Sequence, residues 1–333
     1  MARVFIEGFE LRHLQNWDEV YGNLGENDLL SGATVYGLSG NYYCYMDSDQ
    51  YLKKVLATAG QYYASMRYYE VEAGVNSKVM YFYNESSGLM GSLYANHSGG
   101  DNKMNFVCAG TTYAGTVNLT TAQAWRVEVR YKPSTTNDGV IQVKVNGILD
   151  INKTSTLTSS TGTSIKFINF YGRTARKVDD IIIDNSEWIG NTRIQQLMPD
   201  GSGTSTNWTP SAVYNYDCVN DLSTDVSTCD ADYVYASTVN ALDAYAMSTL
   251  ISGTNPISEI KCIQVTARAK IDGVCTANAM KLKVITSNAT YESSAIQVQE
   301  DAWAHYTYIK SDTANITVAK MENISIGLET TKV

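Results

Sequence analysis

Histidine is scarce in this 333-residue sequence, with three in all, and proline is nearly so, with four. A Ser-His-Asp triad would have to use His13, His97 or His305, and none of these lies in a nucleophile-elbow or similar context. No C-x-x-C pair occurs among the six cysteines, at 44, 108, 218, 229, 262 and 275, and no histidine stands near them, so zinc lacks its ligand spacing. No stretch approaches the roughly 20 apolar residues that cross a bilayer as a helix, which excludes a membrane span of that kind. Positive charge is in deficit, with a net charge of −9; nucleic-acid binding depends on Lys and Arg displacing counterions, so nucleic acid is not an expected partner. No internal repeat of solenoid length and no heptad run is visible. Met1-Ala2-Arg3 leads straight into alternating strand sequence, without the apolar core of a signal peptide, and synthesis in a cytoplasm without a leader is the expectation.

What the sequence does contain is 24 tyrosines, a hydrophobic fraction of 44%, and Ser, Thr, Asn and Gly set densely between short apolar runs. That is the composition of many strands joined by polar turns. In "WRVEVRYK", Trp125, Val127, Val129 and Tyr131 point one way and Arg126, Glu128 and Arg130 the other, the period of a half-buried strand. After a turn at "STTNDG", "VIQVKVNG" repeats the pattern with Ile141, Val143 and Val145 inward, which predicts a hairpin. A second hairpin is expected in "KVMYFYNESSGLMGSLY", where Asn84 to Gly88 supply the turn. The run "SEWIGNTRIQQLMPDGSGTSTNWTPS" then breaks the rhythm, and its Pro199-Asp200-Gly201 and polar residues fit an exposed connection. The expected organisation is therefore a first domain over 1–189 and a second, smaller one over 190–333. In the second, "CIQVTARAKI", "MKLKVIT" and "NISIGLE" alternate as strands, and "NALDAYAMSTLI" (240–251) fits a short helix or an edge strand.

The ordered motifs "FIEGFELRHLQNW", "WRVEVRYK…GVIQVKVNG" and "FYGRTARKVDDIIIDNSEW" resemble the concanavalin A-like, laminin-G-like jelly rolls of tailed-bacteriophage virion proteins. "GNTRIQQLMPDGSGTSTNWTPS" and the closing "ITVAKMENISIGLE" resemble the small β domain that follows such a jelly roll. The resemblance implies an all-β chain: an N-terminal concanavalin A-like jelly-roll sandwich, then a second, smaller β-sandwich. It also implies a non-enzymatic structural role on the virion, as a capsid decoration, head fibre or tail-attached module, made in the host cytoplasm. Capsid or tail proteins and further copies of the chain would then be its partners. In such a fold Phe5, Phe9 and Trp17 are core residues.

Candidate sites are few. Glu70 and Glu72 in "YYEVEAG" stand at i and i+2, as paired carboxylates of a glucanase would. Gly74 occupies the position of the third acid in the glucanase pattern, and two solvated acids on an outer face is the favoured reading. Asp179 and Asp180, Asp47 and Asp49, and Asp101 with Asn102 are oxygen-rich. Neighbouring strand residues face opposite sides unless a bulge intervenes, and no calcium loop motif is present, so no cofactor is expected, with calcium the candidate if there were one. Tyrosine is concentrated in "NYYCYMDSDQY", "QYYASMRYY" and "VMYFY", and Tyr43, Tyr62 and Tyr68 are the expected ligand-binding positions of a lectin-like face. Packing against a neighbouring subunit is the competing reading. The eight Asn-x-Ser/Thr sequons are read as composition, and Cys218/Cys229 and Cys262/Cys275 are read as buried thiols or small-loop disulfides. A carbohydrate-binding adhesin that contacts a host surface glycan is the alternative function, and a glycan hydrolase the third.

Overall fold

A computed structural model of the chain describes residues 3–9, 14–36, 38, 42–58, 60–70, 77–96, 102–157, 162–220, 231–250, 257–273, 275–314, 316–321 and 323–333. The chain divides into two compact units, Met1–Gln195 and Gln196–Val333.

The first unit is built from β1 (Arg3–Glu7), β2 (Glu19–Tyr21), β3 (Leu29–Ser31), β4 (Tyr42–Met46), β5 (Tyr51–Val55), β6 (Tyr62–Glu70), β7 (Ser77–Tyr83), β8 (Leu89–Asn96), β9 (Lys103–Cys108), β10 (Thr111–Ala114), β11 (Gln123–Lys132), β12 (Ser134–Val145), β13 (Ile148–Leu157), β14 (Phe167–Tyr171) and β15 (Arg176–Asp184). They form two antiparallel sheets. One runs β13-β12-β11-β6-β15-β4-β3, with β1 paired to β15, and the other runs β10-β9-β8-β7-β14-β5-β2. This is the expected all-β jelly-roll sandwich. Both expected hairpins form: Val127, Val129 and Tyr131 pair with Val145, Val143 and Ile141, and β7 pairs with β8 around a turn in which the Asn84 side chain accepts from Gly88 N. The "STTNDG" segment is not a free turn. It opens β12 as an irregular ladder whose register shifts between Ser134 and Gly139, with the Asp138 carboxylate accepting from the Ser134 and Thr136 hydroxyls.

Period-2 alternation fills the space between the sheets. Tyr131 sets its ring 5.3 Å from Phe82 and 5.1 Å from Phe106 and donates its hydroxyl to Met90 O across the sandwich at 2.9 Å. Gly91 permits this approach, since a Cβ there would stand 2.8 Å from the Phe106 ring and 3.0 Å from Tyr131. Trp17 packs edge-on to Phe5 (4.7 Å) and Phe170 (5.8 Å), and Phe9 is fully buried, so all three aromatics expected in the core are there.

One buried acid makes the unit pH-sensitive. Glu7 ends β1 and accepts from Phe9 N (2.8 Å) and Asn16 Nδ2 (3.1 Å), yet burial dominates these bonds and raises its carboxyl from 4.5 to about 7. The folded state therefore holds a proton that the unfolded chain releases. This contribution to stability is fully present below pH 4.5 and is lost as pH rises to about 7, by a total on the order of 3 kcal/mol. Glu7→Gln keeps an acceptor for Phe9 N without the charge. It is expected to flatten that part of the stability profile and to raise stability above pH 7 by roughly 1–3 kcal/mol. Urea denaturation at pH 5 and pH 8 checks this, and an unchanged pH slope in the variant rejects it.

The second unit contains β16 (Pro199–Thr206), β17 (Thr209–Pro210), β18 (Val234–Tyr235), β19 (Leu242–Met247), β20 (Ile263–Ala269), β21 (Ala279–Ile285), β22 (Thr290–Glu292), β23 (Ile296–Gln297), β24 (Ala304–Lys310) and β25 (Ser325–Thr331). A sheet ordered β16-β19-β25-β21-β22, with β23 on β21, and a β20-β24 ladder share one core that includes Val265, Met280, Leu282, Val284 and Ile324. The helical alternative for 240–251 is corrected: β19 is hydrogen-bonded on both sides, to β16 and to β25. Two ladders outweigh the weak local preference of a short apolar run. Asp243, buried in β19, accepts from Tyr245 hydroxyl (2.6 Å) and Asn215 Nδ2 (2.7 Å), a side-chain pairing at i and i+2 that a strand allows. Cys44, Cys108 and Cys218 are buried free thiols and Cys275 is also free, so no Cys262–Cys275 bridge forms; Cys229 lies outside the described residues.

Candidate functional site

The strands of the seven-stranded sheet send Leu52, Met80, Phe82, Leu93, Ile168 and Phe170 into the core. Their other parity points to the opposite face, and there the sequence places aromatics. Tyr21 stacks on Tyr51 (4.8 Å, 7°), Tyr51 meets Tyr171 (5.3 Å), Tyr171 meets Tyr81 (4.7 Å), and Tyr81 meets Tyr94 (5.4 Å). Beside this row Tyr83 stacks on Phe167 at 4.8 Å. The ladder register produces the row, with Tyr21 opposite Tyr51, Tyr51 opposite Tyr171, and Phe167 opposite Tyr83. Cross-strand aromatic pairs of this sort also stabilise the sheet. The row crosses β2, β5, β14, β7 and β8, about 19 Å at ordinary strand spacing.

Although these residues face away from the core, Tyr81, Tyr171, Phe167, Asn169, Ser92 and Asn105 are each less than 9% exposed. Asn169 lies in the middle, opposite Tyr81 on one side and Lys53 on the other. Its Nδ2 donates to the Tyr171 hydroxyl at 3.4 Å, while its buried Oδ1 has no hydrogen-bond partner among the described residues. The phenols bond to one another: Tyr81 donates to Tyr94 (2.6 Å), and the Tyr83 and Tyr171 hydroxyls are 3.2 Å apart. Burial first, and then these neighbours, push the Tyr81 and Tyr83 phenols well above their usual range, so they remain protonated donors at neutral pH. Tyr51 donates to Glu19 (2.6 Å) and Lys53 pairs with the same carboxylate (2.9 Å); those two bonds hold Glu19 below its ordinary value.

The backbone beneath this face is anchored by a buried ion pair. Arg176, fully buried, donates to both Glu70 oxygens (3.2 and 3.1 Å) and to Tyr171 O (2.9 Å), and also to Lys78 O and the Ser77 hydroxyl. It thereby ties β6 and β15 of one sheet to β7 and β14 of the other.

The residues singled out in the sequence are placed differently. Tyr43, Tyr62 and Tyr68 are 4%, 1% and 0% exposed, and a glycan face on them is corrected. β6 lies between β11 and β15, so Tyr62 and Tyr68 point into the sandwich core, while Tyr43 packs with Ala33 and Leu38. The opposite side of β6 is covered as well: Trp188 sits edge-on to Tyr63 at 5.3 Å, and Arg67 donates to Asn191 and Thr192. Glu70 is not a solvated acid but the buried partner of Arg176. Glu72, His13, His97 and Asp101 lie outside the described residues, and His305 is on β24 of the second unit. A bulge does follow Asp179, but it turns Asp179 onto its neighbour's amide (2.7 Å) and Asp180 onto Arg67 (2.8 Å) and Ile194 N (2.9 Å). Asp47 accepts from Ala175 N and Asp49 pairs with Lys78. Among the described residues no group of three or more His, Cys, Asp or Glu is placed to hold a metal. The outward positions that sequence reasoning missed had a signal: "VMYFY" and "FINFY" alternate aromatic or amide residues against the core set. Tyr21 and Tyr94 carried none.

No family model matches the chain, and no curated protein does. Among solved structures, the chain is similar to an endo-β-1,4-glucuronan lyase from the fungus Trichoderma reesei, at 10% identity and a TM-score of 0.40, with 56% of this chain and 96% of that one covered. Domain 4 of AbnA, an extracellular arabinanase from Geobacillus stearothermophilus solved with arabinotriose, is similar at 12% identity and a TM-score of 0.39, with 55% and 91% covered. The alginate lyase Aly36B is similar at 11% identity and a TM-score of 0.35, with 51% and 88% covered. The expectation that the chain is not an enzyme is withdrawn: the lack of a hydrolase motif in the sequence does not exclude catalysis, and polysaccharide lyases and an arabinanase stand among these matches. At such identities and TM-scores the likeness brings none of their activities to this chain; what it shares with them is the antiparallel β-sandwich.

Proposed function

We propose that the outward face of the seven-stranded sheet binds a glycan. The observation that carries this reading is Asn169: at the centre of an aromatic row, a buried carboxamide oxygen without a partner among the described residues. Leaving a buried acceptor unpaired costs about 1–3 kcal/mol, and a sugar hydroxyl is a donor of the right kind. Tyrosine suits the rest of a saccharide, because it offers an apolar ring to C–H surfaces and a hydroxyl to polar ones. The span of the row fits several consecutive rings of a chain rather than a monosaccharide.

Isothermal titration of the full chain against oligosaccharides of the major plant, algal and bacterial polysaccharides tests the reading. Saturable binding to at least one of them is expected, and no heat with any of them rejects it. The resemblance of the sequence to phage virion jelly rolls supports carrying this face on a particle, as an adhesin for a host surface glycan. Failure to find the chain in purified particles by mass spectrometry removes that setting and leaves the binding face standing.

A further inference from the structure

We infer that this face selects a neutral polysaccharide and rejects polyuronates, an inference that rests on the glycan-binding reading above. None of the seven strands of the sheet contains an arginine, the side chain whose planar fork grips a carboxylate in two bonds. On the five strands that carry the tyrosine row, the outward cations are Lys53 and Lys78, and each already has an anion. Lys53 pairs with Glu19 at 2.9 Å and lies over the Phe167 ring at 4.4 Å. Lys78 pairs with Asp49 at 3.3 Å and lies over the Tyr171 ring at 5.2 Å. The two cations and two carboxylates sum to zero, so the row offers an arriving carboxylate no uncompensated charge.

The remaining groups are neutral and stay so. Asn169 is an amide and Ser92 a hydroxyl, and the Tyr81 and Tyr83 phenols are held protonated by burial and then by their hydrogen bonds with Tyr94 and Tyr171. A ring hydroxyl can meet Asn169 Oδ1 as a donor in a neutral chain and in a polyuronate alike, so the discrimination falls on the uronate carboxylate, which only accepts and finds on this row no cation without an anion. A polyuronate would have to desolvate its charges against this surface while approaching a chain of net charge −9. The Glu19 carboxylate also resists displacement, because Tyr51 and Lys53 both hold it.

The test compares the full chain's binding to neutral glucan, xylan, mannan and galactan oligosaccharides with its binding to polymannuronate, polyguluronate and polyglucuronate oligosaccharides, at about 0.02 M and about 0.5 M salt. The expected result is binding to a neutral chain that changes less than about twofold with salt, and polyuronate binding at least about tenfold weaker. Glu19→Gln, which frees Lys53, is expected to narrow the gap between neutral and polyuronate affinity severalfold at low salt, and an unchanged ratio of the two affinities in the variant overturns the charge-pairing account. Polyuronate binding as tight as neutral binding, falling steeply with salt, overturns the inference and leaves the glycan reading intact. Absence of binding to both sets overturns both.

Discussion

Arg176→Met is expected to destabilise the first unit by about 3–5 kcal/mol, because it leaves the Glu70 carboxylate buried without its main partner. Glu70 and Arg176 are both 0% exposed, so water cannot substitute for the lost guanidinium. Arg173 approaches Glu70 at 3.4 Å and recovers part of the loss, which places the effect toward the lower end of that range. The backbone also suffers, since the carbonyls of Tyr171 and Lys78 lose their donor; Tyr171 belongs to the aromatic row and Lys78 lies over its ring. The pair itself is worth far less than its disruption: replacing both members, Arg176→Met with Glu70→Leu, removes the orphaned charge and is expected to recover most of the stability. Urea unfolding of the wild type, the single and the double variants measures both quantities. A single-variant loss below about 1 kcal/mol, or a double variant no better than the single, would sink this account of the clamp.

Asn169→Leu separates binding from folding. The substitution removes an amide whose Oδ1 has no partner among the described residues and whose Nδ2 makes one long bond to Tyr171, and it keeps nearly the same shape. Thermal stability should hold or rise, since an unsatisfied buried polar group leaves the structure. Glycan affinity should fall about 10- to 100-fold, the equivalent of about 1–3 kcal/mol for a ligand hydroxyl that loses its acceptor. A residue kept for packing shows the opposite pattern, with stability lost and affinity intact. That outcome in paired calorimetry and titration would move the site off Asn169.

Tyrosine shows how far the sequence reaches. Its abundance in "QYYASMRYY" and "VMYFY" points to an aromatic surface, and alternation assigns each residue to one of two sides of its strand. Alternation alone does not say which side is core. In β6 both sides are enclosed, one by the sandwich and the other by Trp188 and residues 191–192, so a tyrosine-rich central strand contributes nothing to a surface. In β7 and β14 only the Phe82, Met80, Ile168 and Phe170 side meets the partner sheet, and Tyr81, Tyr83, Asn169 and Tyr171 are released to the other. Glu70 misleads for the same reason: in sequence it is an acid beside a turn, and only the arrival of Arg176, 106 positions away, makes it an interior ion pair.

By itself the sequence determined the all-β character of the chain, the two expected hairpins, and the core parity of β11, β12, β20, β21 and β25. Each of these follows from local period or turn chemistry within a few residues. Tertiary structure decided which strands stand beside one another, and with that the row from Tyr21 to Tyr94, the isolation of Asn169 and the Arg176–Glu70 clamp. The row joins strands from residue 19 to residue 171 through ladders whose order is not their order along the chain. Neighbours made by sheet pairing leave no trace in local spacing, because a hydrogen-bonded ladder constrains register between strands and not the distance between them in sequence.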